Sequence, residues 1–470
     1  MLFKIIHTRS KSSYRPHSDS QFFRTFFEEV EIKFVRDRGL DHAVEKEKNL
    51  RPMQNLKILI KSEPSKSLPL SIITQKKDDL KIPIRPIEFI RKYPSIFEEF
   101  FPGNVRIHPH VRLTQEVLSL DAEEQLIHQS DSFRRGAADR LLKLLMLCRV
   151  YEIPLKLVDR LKWDLGLPDN YIETLVPEFP DYFQVKNVMI SSTRSGNVRG
   201  SNEDLLELVC WNDELSVSVM ENRAMKAESA YPQGSPLKFP LHFSKGFDMD
   251  EKLKKLIDVW QKLPYISPYE NASHLQPKSG ISDRWAVAVL HELLHILVPK
   301  KIEQDNILSL GEYLGIRSRF KRALVHHPGI FYLSSKTGTY TVVLREAYKR
   351  DVLIEKHPLM DMRNRYIHLM NSVKEAQKGQ QVKKVERDVG EDDPSGEERE
   401  KGIRLSDSEV EDDSDDEDEE TDEAESSKVA HETIAPSKGR GAHSRSSKWK
   451  KPLRTTKIAR RYPNRTSGRR

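Results

Sequence analysis

The sequence predicts an α+β fold, predominantly helical, built from about three tandem helix-plus-β-hairpin units and followed by a disordered tail. Three observations predict it. A helical run, a proline and a phenylalanine three residues later recur as FIRKYPSIF (Pro94, Phe97), LVPEFPDYF (Pro180, Phe183) and LVHHPGIFYL (Pro328, Phe331). A β-type stretch follows each recurrence. Beyond Lys374 the apolar positions that would build a core vanish.

Each unit reads in the same way. Proline ends the helix because its ring clashes with the preceding turn, and the aromatic residue after it begins an extended stretch that packs back on that helix. In the first unit, Ser95 to Phe101, a Pro102-Gly103 turn and Val105 to Leu113 read as a hairpin. The second is looser: Val185 to Gly200 is polar and glycine-bearing before a strand pattern resumes at Leu205 to Trp211. The third is plainest, with Ile330 to Ser334, a turn at Ser335 to Gly338, and Thr339 to Leu344. Helices followed by a two-stranded wing are winged-helix-like, a nucleic-acid-binding variant of the helix-turn-helix; three in tandem would form a long basic surface. The same helix and hairpin also occur as a plain packing unit.

Charge divides the chain further. Charged residues are 32% of the 470 and the formal net charge is +6. Between Glu391 and Glu425 roughly 20 acids face about 3 bases, or about −17, which leaves about +23 on the rest. Residues 375–427 therefore read as a disordered acidic tract and 428–470 as a disordered basic tail in which Trp449 and Tyr462 interleave with Lys and Arg. A basic surface favours polyanions, because each phosphate it neutralises releases a condensed counterion. Residues 1–30 carry Lys4, Arg9, Lys11, Arg15 and Arg24 among serines and aromatics, the composition of an organelle transit peptide rather than a secretory signal. Arg and Phe content points to the mitochondrion, with the chloroplast as the alternative. Cys148 and Cys210 are the only cysteines, so neither a disulfide framework nor a thiolate zinc site can be built. No apolar run reaches the length of a membrane span, which implies a soluble chain without a membrane partner.

One motif suggests chemistry. His291-Glu292-Leu293-Leu294-His295 matches H-E-x-x-H, in which two histidines one turn apart hold zinc and the glutamate activates water. Val298 and Lys301 stand where the longer zincin signature has glycine and a third histidine, and neither Glu303 nor Glu312 lies in a recognisable second ligand helix. The corresponding stretch of the second unit, LLKLLMLCRV, has no histidine. We therefore read this helix as a core element and expect no metal and no cofactor, keeping a zinc hydrolase with His291, His295 and Glu292 as the alternative. No P-loop, dinucleotide fingerprint or nucleophile elbow occurs. His326-His327 reads as a helix end capped on its carbonyls.

The segment 34–358 resembles the plant organelle RNA recognition domain. The resemblance rests on VRDRGLDHAVEKEKNL (Val35 to Leu50), FIRKYPSIFEEF (Phe89 to Phe100), LGLPDNYIETLVPEFPDYF (Leu165 to Phe183) and HHPGIFYLSSKTGTYTVVLREAYKRDVLI (His326 to Ile354). It implies a protein that binds organellar intron RNA and promotes splicing of group II introns as a non-catalytic facilitator, alongside other splicing factors in a ribonucleoprotein complex. It also implies no small-molecule substrate and supplies no catalytic residue to transfer. Phosphate contacts then fall to Lys and Arg. The candidates are Arg91, Lys92, Arg106 and Arg112 in the first unit, Arg134, Arg135, Arg140 and Lys143 before the second, and Arg317, Arg319, Lys321, Arg322 and Lys336 in the third. A nuclear or chromatin interaction protein, suggested by the two charged tails, is the remaining alternative.

Overall fold

The computed structural model describes residues 32–372 except 104–107, 195–196, 228–231, 233, 277 and 318, and the side chains of 190–201. The transit peptide and both charged tails lie outside the described residues, as does Arg106.

A short helix α1 (Arg38–Glu45) leads into a pattern that is executed three times. In the first unit a long helix, α2 (Leu50–Ser62), precedes a three-residue strand β1 (Ser67–Pro69), helices α3 (Leu70–Gln75) and α4 (Pro86–Lys92), and strands β2 (Phe97–Phe100) and β3 (His110–Leu113). Helix α5 (Gln115–Gln129) connects to the second unit: α6 (Asp131–Leu147), β4 (Glu152–Pro154), α7 (Leu155–Leu161), α8 (Tyr171–Glu178), β5 (Phe183–Arg194) and β6 (Asn197–Leu208). Helices α9 (Val219–Ala227) and α10 (Glu251–Gln261) lead to the third: α11 (Gly280–Ile296), β7 (Lys301–Glu303), α12 (Gln304–Leu310), α13 (Arg319–His326), β8 (Phe331–Ser334) and β9 (Thr341–Leu344). A 3₁₀ turn (Arg345–Ala347), the small pair β10 (Tyr348–Lys349) and β11 (Val352–Leu353), and a helix over 358–372 complete the described chain.

In every unit the short strand pairs with the second hairpin strand, not the first, giving the antiparallel orders β1-β3-β2, β4-β6-β5 and β7-β9-β8. Two left-handed residues fix the register. Lys66, Tyr151 and Lys300, all at positive φ, stand immediately before the short strands, and Lys81, Gly166 and Gly315 follow them after 15 residues in every unit. The amides of the first three bond the carbonyls of Glu63, Cys148 and Leu297 at 3.0, 3.2 and 3.3 Å. One residue past the second three, Ile82, Leu167 and Ile316 bond back to Lys77, Lys162 and Gly311 at 3.1, 2.8 and 3.1 Å, the closure that lets a helix end through a left-handed residue.

The units pack as two bodies of core. Units two and three share one cluster, in which Leu141, Leu145, Leu161, Phe183, Leu290, Leu294, Ile307 and Phe331 are buried together. The first unit has its own, around Met53, Leu56, Phe89, Phe97 and Val111, and the 358–372 helix closes it with Met362, Tyr366 and Met370. Where the closing helix docks, Lys57 is buried and donates to Glu124 (2.9 Å) and Tyr366 (3.0 Å) while pairing with Asp121 (2.8 Å). A buried ammonium is tolerated only because every proton it carries has a partner. No described helix is long and apolar enough to cross a membrane.

Mixed helix and small antiparallel sheet is the architecture that the sequence predicts, but two local expectations are corrected. Each unit's sheet has three strands because the three-residue strand adds an edge; it is too short to show periodicity. The second hairpin is the longest rather than the loosest, running in unbroken register from Phe183↔Leu208 to Arg194↔Asn197. Its described part, Gln184 to Met189, is largely exposed on both faces, and such a ladder needs no apolar alternation, so polarity alone is no sign of a loop there. Cys210 is exposed, Cys148 is buried, and both cysteines are free. His327 Nε2 lies 2.8 Å from Asp283 Oδ2 on α11.

Candidate functional site

The predicted cations fall into three groups. Arg140 and Lys143 turn inward: Arg140 Nε donates to the Leu165 carbonyl at 2.7 Å with its guanidinium over Phe133, and Lys143 Nζ donates to Glu292 at 2.9 Å and to the Val217 carbonyl at 3.3 Å. Burial pushes the Arg140 guanidinium down to about 10. A second group is on the surface but already paired. Arg91 meets Glu99 (3.0 Å), Arg112 forks onto Glu98 directly opposite it across the hairpin (2.9 and 2.8 Å), and Arg134 bridges Asp131 (2.5 Å) and Glu178 (3.4 Å). Arg322 lies 3.4 Å from Asp283 and Lys336 3.7 Å from Glu45. The third group has no ion pair among the described residues: Lys92, Arg135, Arg317 and Lys321 are exposed, and half-buried Arg319 lies over the Trp285 ring at 5.9 Å.

The third helix of each unit differs sharply in charge. Helix α4 (PIEFIRK) carries Glu88, Arg91 and Lys92; α8 (YIETLVPE) carries only Glu173 and Glu178; α13 (RFKRALVH) carries Arg319, Lys321 and Arg322 and no acid. Beside α13, between the second and third units, lies a cleft of about 250 Å³ lined by Arg149, Tyr151, Asn271, Trp285, Gly315 and Arg319 among others. The Arg149 guanidinium is fixed over Trp285 at 4.7 Å by bonds to the carbonyls of Glu270 (2.6 Å) and Pro268 (3.0 Å). Gly315 makes room for it: a Cβ there would come within 2.9 Å of Arg149 Cγ. Tyr151 is 43% exposed and Trp211 38% exposed, and the two rings meet edge to face at 5.8 Å. Oriented guanidinium groups beside exposed aromatic faces can hold a phosphate and stack an unpaired base.

Sequence reasoning missed this cleft, whose residues are scattered from Arg149 to Arg319. The single local signal was Arg149-Val150-Tyr151, a cation and an aromatic interrupting an apolar run just before a strand.

The H-E-x-x-H helix is α11, and its glutamate faces away from its histidines. Glu292 Oε1 accepts from Lys143 Nζ (2.9 Å) and Tyr269 OH (2.8 Å), and Oε2 from the Val219 amide (2.8 Å), all within the core. A carboxylate so occupied is not placed to activate water. The histidines meet a different acid. His291 Nε2 and His295 Nε2 lie 3.2 and 2.7 Å from Oε1 of Glu346, and Arg223 Nη1 lies 2.9 Å from the same oxygen. The expectation that no third donor stands near the histidines is thereby corrected, and the donor is neither Glu303, which lies 3.6 Å from both Arg51 and Lys81, nor exposed Glu312. Burial by itself raises the Glu346 carboxyl, but the hydrogen bonds and charge of His291 and His295 outweigh it and hold the group far below the usual carboxylate range. Burial pushes His295 down, against the pull of Glu346.

Three helix-and-sheet units in one register, the second and third sharing a core, and carrying cations and exposed aromatics at their surface, define a tandem-repeat protein. A family model described as the plant organelle RNA recognition domain matches residues 35–375, and the chain belongs to that family. It is 34% identical over 351 residues to Protein What's This Factor 9, mitochondrial, of Arabidopsis thaliana, covering 74% of this chain and 87% of that one. It is 30% identical over 338 residues to Protein What's This Factor 1, chloroplastic, of Zea mays, covering 70% of this chain and 65% of that one, slightly under two thirds of the relative's length. Protein Root Primordium Defective 1 of Arabidopsis thaliana is 28% identical over 350 residues, 72% of this chain and 82% of that one. No solved structure matches the chain.

Proposed function

We propose that this protein binds organellar intron RNA and promotes splicing of group II introns as a non-catalytic facilitator, working in the mitochondrion with other splicing factors. The reading is carried by the cleft of Arg149, Tyr151 and Arg319 beside the acid-free helix α13, since unpaired bases and phosphates together are what such a surface complements. Family membership and a relative named as mitochondrial support the compartment, and residues 1–30 serve as the transit peptide. Each unit acts as a winged-helix-like module: the order helix, short strand, two helices, hairpin is that of a helix-turn-helix with a wing, and α4 and α13 are the third helices that present cations. Acidic α8 does not touch phosphate. Residues 34–358 form the RNA-binding body, with the acidic tract of 375–427 and the basic tail of 428–470 modulating its affinity.

The test is splicing efficiency of every mitochondrial and plastid intron in plants lacking the protein. Selective loss of a few mitochondrial group II introns is the expected result and names the substrates. Normal splicing of all introns in both organelles would overturn the proposal.

A further inference from the structure

The His291–His295–Glu346 cluster has the composition of a metal site. The two histidines stand one turn apart on α11, so their rings project on one side of the helix, with centroids 4.6 Å apart. Glu346 arrives from the 3₁₀ turn that follows β9, 51 residues after His295, and one donor atom from each of the three residues lies within 4.8 Å of the others. In a tetrahedral zinc centre with bonds near 2 Å, neighbouring donors stand about 3.3 Å apart. The Nε2-to-Oε1 separations of 3.2 and 2.7 Å need only small adjustments to reach that.

A second observation is independent of the distances. Glu346 is 93% buried in its side chain (7% exposed), yet its Oε2 has no hydrogen-bond partner among the described residues while Oε1 is crowded by three donors. A buried acceptor left empty beside an over-subscribed one is an unfavourable arrangement, and a cation between the imidazoles and the carboxylate relieves both defects. The donors also sit on rigid supports: α11 is buried along almost its whole length, and the turn bearing Glu346 continues directly from the sheet. Arg223, 48% exposed, marks the side from which an ion enters.

We propose that His291 Nε2, His295 Nε2 and the Glu346 carboxylate bind one divalent transition-metal ion, zinc being the best match to two imidazoles and one carboxylate, with water on the Arg223 side. The ion clamps α11 to the end of the third sheet and thus holds the third unit closed. It performs no hydrolysis, since Glu292 is bound by Lys143, Tyr269 and the Val219 amide. The proposal is independent of RNA binding, and its test needs no RNA.

Purified full-length protein is stripped with a chelator, titrated with zinc chloride alone, and assayed for bound metal by elemental analysis and for melting temperature. Cobalt substitution reads the coordination of the wild-type site by its visible absorption. One zinc per chain, a melting temperature raised by several degrees and reversed by chelator, and a tetrahedral cobalt spectrum are expected. His295→Ala and Glu346→Gln should each weaken zinc binding by at least about 10-fold; Arg223→Ala, which removes no donor, should retain the metal. Stripped wild-type protein that stays folded and takes up no zinc would overturn the proposal, whatever the variants do. So would an undiminished equivalent of zinc in both ligand variants.

Discussion

At the scale of single residues, Gly166 shows how strain and space act separately. It lies at φ +69, and a Cβ there would stand 3.0 Å from Arg140 Nη2 and Val298 Cγ2 and 3.1 Å from Leu359 Cδ1. Its equivalent in the first unit is Lys81 at φ +56, so the left-handed conformation alone does not demand glycine. Gly166→Ala adds about 1 kcal/mol of conformational strain and about 1–3 kcal/mol of overpacking, and should lower the urea midpoint accordingly. Lys81→Gly, which removes the strain together with the half-exposed ion pair to Glu303, should move it by under about 1 kcal/mol in either direction. His357 supplies a pH dependence. Its Nδ1 accepts from the Leu359 amide at 3.2 Å, at the start of the closing helix, and burial, with the charges of Arg140 and Lys300 adding to it, pushes the ring down to about 4. The unfolded imidazole titrates near 6.5, so between about 6.5 and 4 the unfolded chain holds the extra proton. The stabilisation is complete above about 6.5 and is lost as pH falls towards 4; because the ring is partly exposed, it amounts to about 1–2 kcal/mol after screening. His357→Asn keeps an acceptor without a proton to bind, and should lessen the pH dependence of the melting temperature over that window, the remainder being carried by His326, which burial also pushes down to about 4.

At the scale of elements, the three third helices make a charge series that binding can read. Arg319→Glu with Lys321→Glu reverses the only acid-free member, α13. Single-stranded RNA affinity should fall about 10-fold or more in low salt, and the slope of log affinity against log salt should shrink by about 1. Charge reversal of Glu173 in α8 should leave both quantities unchanged. A gain in affinity on reversing Glu173, comparable in size to the loss at α13, would show that net charge rather than a defined face governs binding. Element by element, the helices that end at Pro94, Pro180 and Pro328 were legible because proline and the following phenylalanine act locally on the chain. The short strands Ser67–Pro69, Glu152–Pro154 and Lys301–Glu303 were not, because three residues carry no period and their pairing is set by a hairpin about 40 to 55 residues away. The same limit applies to the sites. His291 and His295 are visible as a pair at helical spacing, whereas Glu346, and the meeting of Arg149 with Trp285, exist only once α11 is packed against the third sheet and the second unit.

At the scale of the whole molecule, charge is segregated along the chain as strongly as apolar surface is. The formal net charge of +6 combines a tract near −17 with a remainder near +23. If the acidic tract modulates affinity as proposed, it does so by competing with RNA for the same cations at an effective concentration set by its linker, and weakens binding without contacting RNA. The competition is electrostatic, and its strength must therefore decline as salt shortens the Debye length from about 30 Å at 0.01 M to about 8 Å at 0.15 M. Deleting residues 391–425 should tighten RNA binding several-fold at low salt, speed association and lose most of its effect near 0.5 M salt. Replacing the same segment with an uncharged Gly/Ser linker of equal length separates charge from length, and should reproduce the gain. If the deletion leaves affinity unchanged at every salt concentration, the tract does not cover the RNA-binding face, and the residual basicity of 428–470 should then be tested alone by truncation for its contribution to the salt slope.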